Sequence, residues 1–499
     1  MYGNVGIFAW TLCYIVVLLG LSFYGLHRYF IIYLYFRHRK QNLKPQSRFA
    51  ELPVVTVQLP IYNERYVLER LLHAVSLINY PKEKLQIQIL DDSTDETRDI
   101  AVRETERLRQ AGFDAVCLQR AGRVGFKAGA LDVGLRQARG EFFLILDADF
   151  VPPPEILAET IHYFTDARVG MIQTRWQHLN RSYSWLTRAQ AILLDGHLVL
   201  EQTARSSTGR FFNFNGTAGL WRKSCIQEAG GWQHDTLTED LDLSYRAQLI
   251  GWRFVFLVDV VTPAELPIEM SAFKTQQHRW TKGSIQTCKK LLPRIWMSKL
   301  PLWIKAEATV HLTSNFTYLL LALLCVLLQP SPIGPFAMGG WLRVCLIDIP
   351  ILAANTFAAA AFYLVAQREL HPQRWYRDIF FFPFVLALGI GISVNNARAV
   401  LEAVFNHRSA FNRTPKYGIE GKARNAPAFS YSAFKAVLPF GELLFAVYFA
   451  HFVIAAVIAR EYLSLPFLML FQIGFTYVAF CSIGDRVRRW PEKWFLFAK

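Results

Sequence analysis

The pattern of apolar and polar positions divides the chain into three parts, the first of which is strongly apolar. A run from about Val5 to Tyr33 is followed by the basic stretch RHRKQNLK. The run is too long for the apolar region of a signal peptide, so it predicts a retained membrane span rather than a buried core helix. Because the cations lie only on its C-terminal side, we expect the N-terminus outside and residue 37 onward in the cytoplasm.

In the second part, from Pro53 to about Pro301, short apolar runs alternate with amphipathic segments. Four runs are typical of strands, namely VVTVQLP, KLQIQILDD, EFFLILDAD and VGMIQT. Strands that alternate with helical segments predict a mostly parallel α/β sheet. Ligands of such sheets bind at the carboxyl ends of the strands. We therefore expect one α/β domain with its site at that edge.

In the third part, after Pro301, long apolar runs return. The candidate spans cover roughly 303–328, 341–366, 376–401, 436–459 and 463–481. The basic stretch from Asn406 to Asn425 belongs in the cytoplasm with the α/β domain, so an even number of crossings must separate the two. The run 376–401 contains Pro383 and Arg398, and polar groups exposed to lipid are costly, so we interpret it as an interface helix. Five crossings then satisfy every flank.

These patterns predict six segments. They are an N-terminal transmembrane helix at 1–36, a cytoplasmic α/β domain at 50–300 that ends in interface helices, two transmembrane helices at 301–367, an interface helix with a basic loop at 368–435, two transmembrane helices at 436–484 and a basic cytoplasmic tail at 485–499.

Composition agrees with a multi-pass membrane protein. The chain of 499 residues is 53% hydrophobic and carries a formal net charge of +15. Basic cytoplasmic flanks explain most of this charge and there is no nucleic-acid recognition motif, so we expect no nucleic-acid partner. The seven cysteines form no CxxC pair, which argues against a zinc site or a disulfide framework.

Pairs of carboxylates follow two of the predicted strands. ILDDSTDET places Asp91 and Asp92 at one strand end, and ILDADF forms a D-x-D motif from Asp147 and Asp149 at another. Carboxylates at strand ends can hold a divalent cation, which can bridge to a substrate diphosphate. Aspartate is also common in turns, so each pair alone fits an ordinary structural role.

A third acidic cluster, Glu239, Asp240 and Asp242, opens a predicted helix in TEDLDLSYRAQL. One interpretation is structural: Thr238 caps the helix and the acids in its first turn suit the helix dipole. The other is chemical, because a carboxylate that stands apart from a cation site can act as a general base on an acceptor hydroxyl. In that interpretation one carboxylate of the cluster is the base, and the other acids are helix-start and surface charges.

The order of the motifs favours the chemical interpretation. LPIYNE, DDSTD, GFKAGAL, DAD, FNGTAG, TED and QQHRW follow one another in one α/β domain bracketed by apolar runs. Together they resemble the processive, membrane-embedded members of glycosyltransferase family 2, the cellulose synthase superfamily. FNGTAGLWR, EAGGW, ELP and QQHRW are most similar to the plant cellulose-synthase-like mannan and glucan synthases and their bacterial relatives. The resemblance implies an α/β GT-A (nucleotide-diphospho-sugar transferase) domain inserted between transmembrane α-helices.

The resemblance also implies roles for individual residues. It places Asp240 as the catalytic base and Arg279 as the catalytic cation that stabilises the leaving diphosphate. Donor binding falls to Asp91, Asp92, Lys127, Asp147, Gln276 and Arg279. Acceptor binding falls to Asn215, Gly216, Thr217 and Trp280, although Trp280 also fits an interfacial anchor beside the membrane. Asp147 and Asp149 would hold Mg²⁺ or Mn²⁺.

The basic loop FNRTPKYG resembles the gating loop of bacterial cellulose synthase, which closes over the nucleotide. The resemblance places Phe411, Thr414 and Lys416 in such a loop, whereas Arg413 stands where that pattern has valine. The alternative is a basic loop that only fixes the topology.

The function implied is inverting transfer of a hexose from a nucleotide sugar, UDP-glucose or GDP-mannose, to a growing β-glycan, with translocation of the polymer across the membrane. The alternatives are transfer of one sugar to a lipid such as diacylglycerol or ceramide, and a catalytically inactive receptor. We expect a nucleotide-sugar donor, a glycan or lipid acceptor and membrane lipids as partners. Accessory subunits and oligomeric state are left open. The expected location is the bacterial inner membrane, or the Golgi or plasma membrane in a eukaryote, with the catalytic domain cytoplasmic.

Overall fold

The α/β domain is built on a seven-stranded sheet. A computed structural model describes residues 2–39, 44–328, 349–407, 413–421, 439–462 and 464–488. The strands are β1 (Val55–Ile61), β2 (Leu85–Asp91), β3 (Asp114–Gln119), β4 (Phe142–Ile145), β5 (Val169–His178), β6 (Gly219–Arg222) and β7 (Arg253–Ala264). They lie in the order β3-β2-β1-β4-β6-β5-β7.

The sheet is mostly parallel, as the sequence predicts. Only β6 runs antiparallel, to β4 on one side and β5 on the other, so β1, β2, β3, β4, β5 and β7 all end at the same edge. Because β6 is reversed, the segment that leads into it also lies at this edge. The fold therefore brings seven connections together there.

The α-helices of the domain lie between residues 68 and 249, and two groups of them pack on the sheet. They are α2 (Leu68–Ser76), α3 (Thr97–Gln110), α4 (Phe126–Gln137), α5 (Ile156–Thr160), α6 (Trp185–Asp195), α7 (Gln202–Ser207), α8 (Lys223–Glu228) and α9 (Glu239–Leu249). One core packs α2, α3 and α5 on the sheet, and the other packs α4, α8 and α9 around the fully buried Trp221. Burial of these aliphatic and aromatic side chains is the main stabilising contribution.

The remaining helices precede or follow the sheet domain. They are α1 (Tyr2–His38), α10 (Met270–Met297), α11 (Leu302–Thr313), α12 (Phe316–Leu327), α13 (Ile349–Leu352), α14 (Ala358–Leu370), α15 (Tyr376–Ile379), α16 (Phe382–Gly391), α17 (Ser393–Val404), α18 (Phe440–Ile458) and α19 (Leu465–Arg488). In the part of the chain that the structure describes, three are long and apolar enough to cross a membrane. The number rises to five if each bent pair is one span, α11 with α12 at 55° and α16 with α17 at 42°.

Two predicted spans differ from straight helices. The run 303–328 is broken between α11 and α12, and the run 376–401 is divided among α15, α16 and α17. Residues 341–348 of a third predicted span lie outside the described residues. The interface position of 376–401 and the six segment boundaries stay predictions.

Helix α10 joins the sheet domain to the apolar helices through buried charges. Lys274 pairs with Glu442 of α18, and Lys282 Nζ lies 3.0 Å from a carboxylate oxygen of Glu402 in α17. The backbone N–H of Ser271 donates to Asp485 of α19 at 2.9 Å. Since a buried charge is costly without its partner, these contacts fix α10 against the apolar helices.

Candidate active site

The carboxyl edge of the sheet forms the wall of a deep pocket. The pocket encloses about 1240 Å³ of empty space, including the solvent at its mouth. The sequence-predicted residues that line it are Asp92, Lys127, Asp147, Asp149, Asn215, Gly216, Thr217, Asp240, Gln276, Arg279, Trp280, Thr414 and Lys416. The strand ends and α9 supply the acidic residues, and α10 supplies Gln276, Arg279 and Trp280.

The D-x-D motif follows β4 and carries two lysine contacts. Lys127 Nζ lies 2.5 Å from Asp147 Oδ1 and donates to the carbonyl of Gly216 at 2.8 Å. Lys416 Nζ lies 2.6 Å from Asp149 Oδ2. Burial lowers the pKa of both lysines, but the carboxylates around them outweigh it and the net shift is upward. Both lysines are therefore held as cations against the motif.

Asp240 stands at the start of α9 beside a turn that requires glycine. Gly216 has a φ of +83°, and a Cβ there would lie 2.8 Å from Asp240 Oδ2. The other carboxylate oxygen, Oδ1, accepts the backbone N–H of Leu241 at 2.8 Å. Burial and the neighbouring charge of Glu239 raise the pKa of Asp240 to about 7. A carboxyl with such a pKa is suited to accept a proton near neutral pH.

The two other predictions for this cluster are wrong. Thr238 precedes α9, but its side chain makes no capping hydrogen bond and instead lies 3.4 Å from the hydroxyl of Thr287. Asp242 is not a surface charge, because it is fully buried and pairs with Arg246 and Lys290 at 2.8 and 2.9 Å. Thr287 and Lys290 are distant in sequence from this cluster, and Arg246 lies one turn further along α9.

We expect Asp242→Asn to destabilise the domain. The substitution leaves Arg246 and Lys290 with less negative charge in a buried setting, which costs about 3–5 kcal/mol of unfolding free energy. Thermal unfolding in detergent, followed by tryptophan fluorescence, measures the effect. Asp99→Asn, at an exposed position of α3, is the matched control and should leave the midpoint unchanged. An equal midpoint for both variants would contradict a stabilising role for Asp242.

The predicted pair Asp91 and Asp92 separates in the structure. Asp91 is the last residue of β2, is buried, and accepts the backbone N–H of Ser93 at 2.9 Å, so it does not line the pocket. Asp92 does line it and forms a two-pronged ion pair with Arg120, whose Nε donates to Oδ1 at 2.8 Å. The donor-binding role of Asp91 stays a prediction.

The segment 413–421 lies over the pocket. Arg413 Nη1 is 3.0 Å from a carboxylate oxygen of Glu64 and also donates to the carbonyl of Tyr62. The backbone N–H groups of Tyr417 and Gly418 donate to the carboxylate of Glu265 at 3.0 and 2.8 Å. Thr414 is buried here, whereas Phe411 of the same predicted loop lies outside the described residues. Arg413, which stands where the gating-loop pattern has valine, thus forms an ion pair with Glu64.

Similarity to known proteins shows which family the chain belongs to. The family described as "Glycosyltransferase like family 2" matches residues 53–283. Glucomannan 4-beta-mannosyltransferase 7 of Arabidopsis thaliana is 30% identical over 456 residues, which is 88% of this chain and 78% of that protein. The chain belongs to glycosyltransferase family 2.

Other family 2 relatives match more strongly over a shorter stretch. Glucomannan 4-beta-mannosyltransferase 1 of Oryza sativa subsp. japonica is 40% identical over 278 residues, 54% of this chain and 53% of that protein. The chain thus spans about half the length of the first curated relatives that it matches. The mannosyltransferase PcManGT from Pyrobaculum calidifontis, solved in complex with GDP-Man and Mn2+, has a TM-score of 0.51 at 20% identity. Its match covers 79% of this chain and 99% of its own, and it confirms the predicted GT-A fold.

The D-x-D residues fit a divalent cation whose remaining ligands come from the substrate. Among the described residues, no three or more histidine, cysteine, aspartate or glutamate side chains are placed to share one ion. Asp147 and Asp149 both line the pocket and offer it two carboxylates. Mg²⁺ is commonly held by one or two carboxylates together with substrate phosphates and water. The donor set is therefore adequate for a cation that arrives with a diphosphate.

The lining residues of this glycosyltransferase pocket without a role in the sequence interpretation include two buried acids and a tryptophan that belong to or follow the quoted motifs. They are Glu64, Trp176 and Glu265. Burial and the nearby D-x-D carboxylates raise the pKa of Glu64 to about 8, against the opposing charges of Arg413 and Lys416. Glu64 lies in LPIYNE and Glu265 in ELP, so the motifs contained both. Trp176 follows VGMIQT, a strand whose carboxyl end also points to this edge.

Proposed function

We propose that the protein transfers mannose from GDP-mannose, with inversion, to a growing β-1,4-linked glycan at the cytoplasmic face of a membrane. The observation that carries this proposal is that Asp240, the D-x-D motif and Arg279 line a single pocket. The relatives named glucomannan 4-beta-mannosyltransferase support the choice of mannose and of a β-glycan.

The pocket offers each group that single displacement needs. Asp240 accepts the proton of the acceptor hydroxyl as that oxygen forms a bond to the anomeric carbon, and the bond from that carbon to the diphosphate oxygen breaks. Attack on the face opposite the leaving group inverts the configuration. Arg279 and Lys127 place positive charge where the diphosphate gains negative charge. A cation held at Asp147 and Asp149 supplies further charge neutralisation when it is bound.

The membrane part supports a polymer product that is translocated. Three to five helices have the length and apolar character to cross a bilayer, and α10 ties the pocket directly to them. In this proposal Trp280, on α10, presents an apolar face to the acceptor sugar. Segment 413–421 closes the donor side of the pocket through Thr414 and Lys416. In this proposal the interface helix and the basic loop occupy residues 368–435, as predicted from the sequence.

The experiment compares two labelled donors on membranes that contain the protein. GDP-[¹⁴C]mannose should give a product that stays in the aqueous or insoluble fraction and is released by endo-β-1,4-mannanase. UDP-[¹⁴C]glucose alone should label it far less. Label that moves entirely into organic solvent would instead support transfer of one sugar to a lipid, and equal labelling by both donors would contradict the choice of mannose. Membranes without the protein are the control.

A further inference from the structure

The turn between α10 and α11 exposes a group of large apolar side chains. Trp296, Met297, Leu302 and Trp303 are 49%, 78%, 73% and 48% exposed. Single exposed apolar residues are common on protein surfaces and need no explanation. Four of them close together in the chain form a patch of the kind that a partner or a membrane covers.

Hydrogen bonds and burial fix which side chains of this turn point outward. Trp296 Nε1 donates to Thr309 Oγ1 at 3.1 Å, and Lys305 Nζ donates to the backbone carbonyl of Trp296 at 2.9 Å, so α11 folds back on the end of α10. Ile295 and Ile304 are buried in one core with residues of α9. Because these two isoleucines face inward, the larger apolar side chains beside them are left on the surface.

The same turn is basic. From Lys289 to Lys305 the chain contains five lysines and arginines and no acidic residue. Lys289 donates to backbone carbonyls at the end of α17, Lys290 pairs with carboxylates near the start of α9, and Lys305 binds the carbonyl named above. Arg294 and Lys299, in contrast, are exposed. An apolar surface bordered by exposed cations is complementary to a membrane leaflet that contains anionic phospholipids.

The exposed surface of the turn continues onto α1. The guanidinium of Arg210 lies between Phe30 of α1 and Trp303, 5.4 Å and 4.9 Å from the two ring centroids. Helix α1 is long and apolar enough to cross a membrane, and Phe30 lies near its basic end. At 1.5 Å per residue, Phe30 is about 10 Å along the helix from Arg37, where the basic flank begins. The turn therefore lies at the depth where this end of α1 leaves the apolar layer.

We propose that the α10–α11 turn docks into the headgroup layer of a leaflet that contains anionic phospholipids, at the basic end of α1. The four exposed apolar side chains enter the boundary between headgroups and acyl chains, where indole rings are favoured. Arg294 and Lys299 place their charges against the lipid phosphates while their stems stay in the apolar boundary. Because the first half of α10 carries Arg279 and Trp280 of the pocket, the leaflet holds the far end of the same helix. Docking requires neither donor nor acceptor, so it stands apart from the proposed function.

The test places a fluorescent probe at the tip of the turn in the full-length protein in nanodiscs. Met297→Cys is labelled with a nitrobenzoxadiazole maleimide, and phosphatidylcholine with a nitroxide on its acyl chain is the quencher. In discs of phosphatidylcholine and phosphatidylglycerol, we expect quenching at position 297 to exceed several-fold the quenching of labelled Val102→Cys, an exposed position of α3 on the sheet domain. The protein without an added cysteine, labelled in parallel, gives the contribution of the native cysteines.

The role of the cations is tested in the same discs. Arg294→Gln combined with Lys299→Gln should lower the ratio of docked to undocked turn by about 5-fold for each charge removed. Arg103→Gln combined with Arg107→Gln removes two exposed cations of α3 and should leave the quenching at position 297 unchanged. Thermal unfolding reports whether each variant is folded. Discs of phosphatidylcholine alone, in which quenching should be weaker, test the same point without a charge variant.

Three results would overturn the proposal. Equal quenching at positions 297 and 102 in anionic discs would mean that the turn does not reach the lipid. Equal quenching at position 297 in discs with and without phosphatidylglycerol would mean that the anionic headgroup is not recognised. A blue-shifted probe that the nitroxide lipid does not quench would mean that protein, such as a second copy of the chain, covers the turn.

Discussion

Replacing Asp240 with asparagine should lower the rate of sugar transfer by roughly 10²–10⁴-fold, the usual contribution of a general base. Asparagine is close in size to aspartate but cannot take the acceptor proton. Its amide still fits beside Gly216, and one oxygen can still accept the N–H of Leu241, so the start of α9 is expected to persist. GDP binding should be near normal, because the base acts on the acceptor. Initial rates with GDP-[¹⁴C]mannose and GDP titration measure the two effects.

The pH dependence of the same reaction gives an independent check on Asp240. Since its pKa is raised to about 7 and the base must be ionised, the rate should rise as pH increases through 7. Glu239→Gln removes the neighbouring charge that contributes to this shift, so the acidic limb should move to lower pH while transfer continues. A limb that stays in place in Glu239→Gln, or near-normal turnover by Asp240→Asn, would contradict the assignment.

Removal of divalent cations should have the second large effect. Charge neutralisation by a metal on a leaving diphosphate is worth several kcal/mol, so EDTA should reduce transfer by at least about 10²-fold. Mg²⁺ or Mn²⁺ should restore it. Asp149→Asn should raise the concentration of Mn²⁺ needed for half-maximal rate, because one of the two carboxylates beside the diphosphate is lost.

Two observations would separate this expectation from its alternatives. Asp99→Asn, which removes an exposed carboxylate of α3, should respond to Mn²⁺ as the unmodified protein does. Full activity after EDTA treatment would mean that Lys127 and Lys416, which contact Asp147 and Asp149, neutralise the diphosphate without a cation. That outcome would contradict the D-x-D role.

Local sequence patterns predict which carboxylates lie at strand ends. They do not predict which charged side chains are buried or which partners they contact. Asp92, Asp147 and Asp149 come directly after apolar strands, and parallel strands bring their carboxyl ends to one edge, so their convergence follows from topology. The antiparallel strand β6 has no comparable signal, because its four residues, GLWR, are too few to show a period.

The wrong predictions for Thr238 and Asp242 share one physical cause, which is contact with partners far along the chain. Asp242 is buried because Lys290 of α10 reaches it, and Thr238 turns to Thr287 of the same helix instead of capping α9. Asp91 and Asp92 are adjacent in sequence, but Asp91 ends β2 and accepts the N–H of Ser93, whereas Asp92 lies beyond the strand and lines the pocket. No local pattern contains this information.

Helix α10 has a consequence for how such enzymes can diverge. One stretch of the helix carries Gln276, Arg279 and Trp280 of the pocket, while Lys274 and Lys282 beside them are neutralised by acids on the apolar helices α18 and α17. A replacement of Glu442 or Glu402 is therefore tolerated only together with a change in α10. An exchange of the sheet domain and α10 without α17 and α18 would separate Lys274 and Lys282 from these carboxylates, so we expect the pocket and the helices around α10 to change together.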